Sequence, residues 1–162
     1  GFSMHSIRLA GPWQIIPLVR THWSSEGQSV EEPGPLPEGG RGTVPGDWGE
    51  LLGEDFRGQV QMERFFHKPT GLEADDRVEI VLSEVDAMGT ASLNGQSLGT
   101  IPPGGEPARF EIHRLLEHRN CLLVTVELPR LTSESASLAR PTAHHTAGGI
   151  LGEVRLEIIP TG

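Results

Sequence analysis

The chain has 162 residues, one domain's worth, and at that length about 70% of the unfolded surface is buried on folding. Its formal net charge of −9 argues against nucleic acid and anionic membranes as partners, because both are held by basic surfaces. The single cysteine, Cys121, excludes an intrachain disulfide and a cysteine-based zinc cluster.

No run approaches the ~18 apolar residues of a spanning helix. The start, Gly1-Phe2-Ser3-Met4, carries no charged segment followed by an apolar one, so it does not read as a signal peptide. Met4 reads as the natural initiator, with three residues left ahead of it by cloning. Twenty-one glycines and thirteen prolines punctuate short apolar runs, the pattern of an all-β protein with many turns.

In chain order, residues 13–19 predict a first strand, which Pro17 limits to a sheet edge or ends outright. Residues 24–42 hold Gly, Pro and Glu without a packing pattern and predict a long loop. Residues 58–68 alternate, with Val60, Met62 and Phe66 inward. Residues 77–85 alternate more clearly: Val78, Ile80 and Leu82 face one way, Arg77, Glu79 and Ser83 the other. Val81 interrupts that polar face and predicts that it is partly covered.

Leu93-Asn94-Gly95-Gln96 predicts a tight hairpin between residues 89–94 and 96–100, since both central turn positions need positive φ. Residues 107–112 predict a strand with Phe110 and Ile112 inward. A short helical turn over 113–119 follows, anchored by Leu115 and Leu116 and ended by Asn120. Residues 121–128 give the best strand, with Leu122, Val124, Val126 and Leu128 on one face. Residues 130–147 predict a second long loop. Residues 153–159 close the domain, with Val154, Leu156 and Ile158 inward and Arg155 and Glu157 outward. About eight mostly antiparallel strands with one or two short helices predict an antiparallel β-sandwich spanning residues 1–162 as one domain.

Several of these pieces, in this order, carry a resemblance. They are Pro69-Thr70-Gly71-Leu72, Arg77-Val78-Glu79-Ile80, Val85-Asp86-Ala87, and Leu93-Asn94-Gly95 with Leu98-Gly99. Then come Phe110-Glu111-Ile112, Leu115-Leu116, Asn120 opening a Leu-Val-Val strand, and Gly149-Ile150-Leu151-Gly152-Glu153-Val154-Arg155-Leu156. Over about residues 43–159 the chain resembles the sugar-binding domain of glycoside hydrolase family 2, a jelly-roll sandwich of the galactose-binding-domain-like type. Two departures stand out: Gln61-Met62 replace a frequent Trp-Tyr, and Leu151-Gly152 replace a closing Tyr-Arg.

In that family the two catalytic glutamates sit on a separate barrel. The resemblance therefore implies a non-catalytic module that binds a glycan or assists a glycosidase. The alternative is an interaction sandwich that docks on a partner protein and binds no sugar. A metal-dependent enzyme using His144 and His145 is the least favoured reading, because adjacent histidines seldom share one metal and His67, His113 and His118 are scattered. The pairs Asp75-Asp76, Glu31-Glu32 and Glu54-Asp55 are expected on the surface, and Cys121 as a small apolar residue.

Sugar recognition needs aromatic faces and a few polar side chains. Trp13 opens a strand and is expected in the core. Trp48, after Pro45-Gly46-Asp47, is expected to be exposed in a turn. Trp48, Arg140, His144 and His145 are the expected carbohydrate contacts. The resemblance implies no cofactor and leaves structural calcium, found in many such sandwiches, as an open alternative.

Overall fold

The computed structural model describes residues 4–102, 106–133 and 147–161. Its first half runs β1 (His5–Arg8), β2 (Pro12–Trp23), β3 (Ser29–Glu32), β4 (Gly40–Thr43), β5 (Gly46–Asp47), helix α1 (Gly49–Leu52), β6 (Gly58–His67) and β7 (Arg77–Leu82). The second half runs β8 (Val85–Asp86), β9 (Met88–Leu93), β10 (Gln96–Ile101), β11 (Ala108–Glu111), a 3-10 turn (His113–Leu115), β12 (Arg119–Leu128), β13 (Gly149–Ile150) and β14 (Val154–Ile159).

These strands build an all-β antiparallel sandwich. One sheet has the order β1-β14-β7-β11; the larger has β10-β9-β12-β6-β2-β3, with β4 also on β2. The small sheet β5-β13-β8 joins distant parts of the chain. One apolar cluster fills the interior, with Val60 and Met62 of β6, Leu122, Val124 and Val126 of β12, Val78, Ile80 and Leu82 of β7, and Leu156 of β14. Each such side chain contributes about 1.5–3 kcal/mol by leaving water. Trp13 belongs to this core, as expected, and its indole N–H donates to the Leu9 carbonyl at 2.9 Å.

The predicted hairpin forms: Gln96 pairs with Leu93, and Asn94 and Gly95 take φ of 52° and 82°. Val81 is fully buried between Arg109 and Arg155 in register, as the covered face requires.

Four expectations are corrected. Pro17 does not end β2. The strand continues to Trp23, with a register shift against β6 between Pro17 and Val19. On its other side β4 pairs only with Pro12–Ile15 and β3 only with Arg20–Trp23, so Pro17 sits where no ladder bond is needed. The expected loop over 24–42 contains β3 and the start of β4. Asn120 lies inside β12 rather than at a helix end, and is fully buried. Glu157 is 2% exposed instead of facing water, for the reason given below.

Candidate functional site

One end of the sandwich is organised around Trp48. Its backbone N–H donates to the Gly148 carbonyl at 2.9 Å, and its indole N–H to the Phe56 carbonyl at 3.2 Å. The Asp47 carboxylate accepts the Gly49 N–H at 2.8 Å and opens α1. Phe56 meets the indole edge-on, with ring centroids 5.9 Å apart. A Cβ on Gly148 would stand 2.5 Å from the indole. Trp48 is therefore 1% exposed, and the expectation of an exposed ring is corrected. The turn that carries it is folded inward by α1 and by the pairing of β13 with β5, so the indole supports the wall and presents no face to solvent. Arg140, His144 and His145 lie outside the described residues.

The other candidates separate in space. Glu31, Glu54, Asp55 and Asp75 are exposed. Glu32 is paired: Arg130 holds it at 2.9 Å and His22 Nδ1 lies 3.1 Å away. The Arg130 hydrogen bond outweighs the effect of burial and holds the Glu32 carboxyl below its ordinary value. His113 Nδ1 faces the Asp76 carbonyl, and the rings of His67 and His118 lie 5.9 Å apart. Among the described residues no three His, Cys, Asp or Glu side chains gather as a metal site. Burial raises the Cys121 thiol, and the nearby Glu63 carboxylate raises it further.

A charged lattice covers the outside of the smaller sheet. Arg109 bonds Glu157 at 2.6 Å and Glu79 at 3.2 Å; Arg155 bonds Glu157 and Arg77 bonds Glu79, both at 2.7 Å. The guanidiniums cover the carboxylates, which is why Glu157 is buried. Burial pushes its carboxyl upward, but the hydrogen bonds from Arg109 and Arg155 prevail and hold it below the ordinary value.

The outer face of the larger sheet carries features the sequence reading did not select. Thr100, Thr90, Thr125 and Gln61 form one cross-strand row. Its three threonines line an open groove of about 550 Å³ together with Met88, Gln59 and Glu127. A second row runs Arg41, Gln14, Glu63 across β4, β2 and β6. Phe65 lies two residues beyond Glu63 on that face and is 44% exposed. Together with Arg64 they line a concavity of about 350 Å³. The legible signal was Phe65 in the polar phase of β6, which otherwise carries Gln59, Gln61 and Glu63.

No family model and no curated protein sequence matches the chain. Solved structures do. A β-glucuronidase of Bifidobacterium dentium, complexed with coumarin-3-O-glucuronide, superposes with TM-score 0.70 and 24% identity over 98% of this chain and 30% of its own. A β-glucuronidase of Dictyoglomus thermophilum gives 0.68 and 13%, over 98% and 28%. A family 2 β-galacturonidase of Eisenbergiella tayi, bound to galacturonate, gives 0.62 and 17%, over 96% and 24%. The fold is that of a segment of family 2 glycosidases. At these identities the likeness is one of fold, and the chain spans less than a third of each enzyme's length. Among the described residues no helix is long and apolar enough to cross a membrane.

Proposed function

We propose that this chain is a non-catalytic module of the sugar-binding-domain type, which binds a glycan or presents one to a glycosidase. The observation that carries the reading is the coverage. Nearly all of this chain superposes on less than a third of each glycosidase, and that shared third is a β-sandwich rather than a barrel. Fold alone does not assign a ligand, so the reading rests on sites. Arg140, His144 and His145 are the proposed polar contacts, in the stretch that leads into Ala147 and Gly148 beside Trp48. Trp48 is assigned to hold that end of the sandwich closed, because its ring is buried. An array of plant and microbial polysaccharides tests this. The wild-type protein retains one glycan class, and replacing Arg140, His144 and His145 together by Ala weakens that retention. A triple variant that binds like the wild type would remove the loop assignment.

A further inference from the structure

We infer a second contact surface, on the outer face of the larger sheet: a site for an acidic saccharide made by Arg41, Gln14, Glu63 and Phe65. It rests on the glycan-binding reading and names a ligand class, a uronate-bearing oligosaccharide. The sheet register places the first three side chains side by side, Arg41 opposite Gln14 and Gln14 opposite Glu63. The juxtaposition therefore follows from the backbone ladder and does not depend on chosen rotamers.

The three groups are complementary to a sugar acid and are largely unspent. Among the described residues the side chains of Arg41 and Gln14 make no hydrogen bond or ion pair, and that of Glu63 has only the Cys121 thiol at 3.6 Å. Their strands stand two steps apart, roughly 10 Å between the backbones of Arg41 and Glu63, and no ion pair joins the two side chains. A guanidinium suits a carboxylate with two parallel N–H bonds, while an amide and a carboxylate suit hydroxyls.

Phe65 supplies the apolar element. Arg119 stacks on its ring at 4.5 Å from the centroid, yet 44% of the residue still meets solvent. Such an exposed aromatic ring suits the C–H face of a pyranose. Arg64 also lines the concavity, although its Nε is occupied by the Ala10 carbonyl at 2.9 Å. Two arginines, Arg41 and Arg64, thus line the concavity with one carboxylate, Glu63, in a chain of net charge −9. A locally positive concavity on an acidic protein favours an anionic ligand over a neutral one.

Titration calorimetry with a galacturonic acid trimer and with its methyl-ester form tests the assignment. The acid form binds, the ester binds about tenfold more weakly or not at all, and Arg41→Ala loses about tenfold for the acid form alone. Phe65→Ala weakens both forms. Both variants alter exposed side chains, and unchanged melting temperatures confirm that they fold. Equal binding of acid and ester, or Arg41→Ala and Phe65→Ala variants that bind like the wild type, would overturn the site. If an array retains only neutral glycans, this site falls and the glycan-binding reading stands. If nothing is retained, both fall.

Discussion

Asn94 and Asn120 are joined amide to amide: Asn94 Nδ2 donates to Asn120 Oδ1 at 3.0 Å. The turn residue is thereby tied to a fully buried residue of the central strand β12. Asn94 also donates to the Leu115 carbonyl at 3.0 Å and accepts the Cys121 N–H at 2.9 Å. Asn120 accepts the Glu117 N–H at 2.7 Å and donates to the Glu117 carbonyl at 2.9 Å, which closes the chain after the 3-10 turn. The hairpin motif is thus also a clamp on the β11–β12 connection.

This clamp predicts a costly substitution. Asn120→Ala removes the partner of the Glu117 N–H and carbonyl and of the Asn94 amide, and lowers stability by about 2–4 kcal/mol. Asn94→Gly keeps the positive φ but loses the side-chain bonds, at about 1–3 kcal/mol. Urea denaturation of both variants and the double variant measures their coupling. The double variant loses less than the sum of the singles.

Acid sensitivity follows from Glu157 and Glu32, whose carboxyls are held below their ordinary values in the folded protein. A depressed carboxyl stabilises the fold above its unfolded pKa of about 4.3 and stops doing so as pH falls through the folded value. The melting temperature therefore drops between about pH 5 and pH 3. Glu157→Gln starts less stable but shows a shallower drop, measured by thermal denaturation across that range.

Gly148→Ala tests the packing around Trp48. Its Cβ would meet the Trp48 indole at 2.5 Å and the Asp86 carbonyl at 3.0 Å. Overpacking of this kind costs about 1–3 kcal/mol. The expected result is a lower melting temperature with altered tryptophan emission.

The buried indoles predict a fluorescence signature. Trp13, Trp23 and Trp48 are 0%, 5% and 1% exposed. Iodide should quench the native emission far less than that of the urea-unfolded chain. A native quenching slope equal to the unfolded one would contradict the inward placement of Trp48.

Much of the core was legible because alternation reports a half-buried strand. Val60 and Met62, Val78, Ile80 and Leu82, and Leu122, Val124 and Val126 all occupy their predicted faces. Strand β4 escaped because Gly40-Arg41-Gly42-Thr43 has no apolar side chain to alternate. Gly42 is there for proximity: a Cβ would stand 2.3 Å from Ile15 Cδ1, so the strand packs on β2 through its lack of a side chain. Strands β5, β8 and β13 have two residues each, too short for any periodicity. Glu157 reads as outward by phase, and it does lie on the outer face. Its burial comes from Arg109, 48 residues away in sequence, a contact no local pattern encodes. The Arg41–Gln14–Glu63 row is likewise assembled from three distant segments by register alone.

The most direct test of a non-catalytic glycan-binding role is to incubate the purified chain with a panel of labelled neutral and acidic oligosaccharides. Retention and cleavage are then followed in the same samples. The account predicts retention of one class with every recovered chain at its original length. Shortened oligosaccharides, or no retention across the panel, would contradict it.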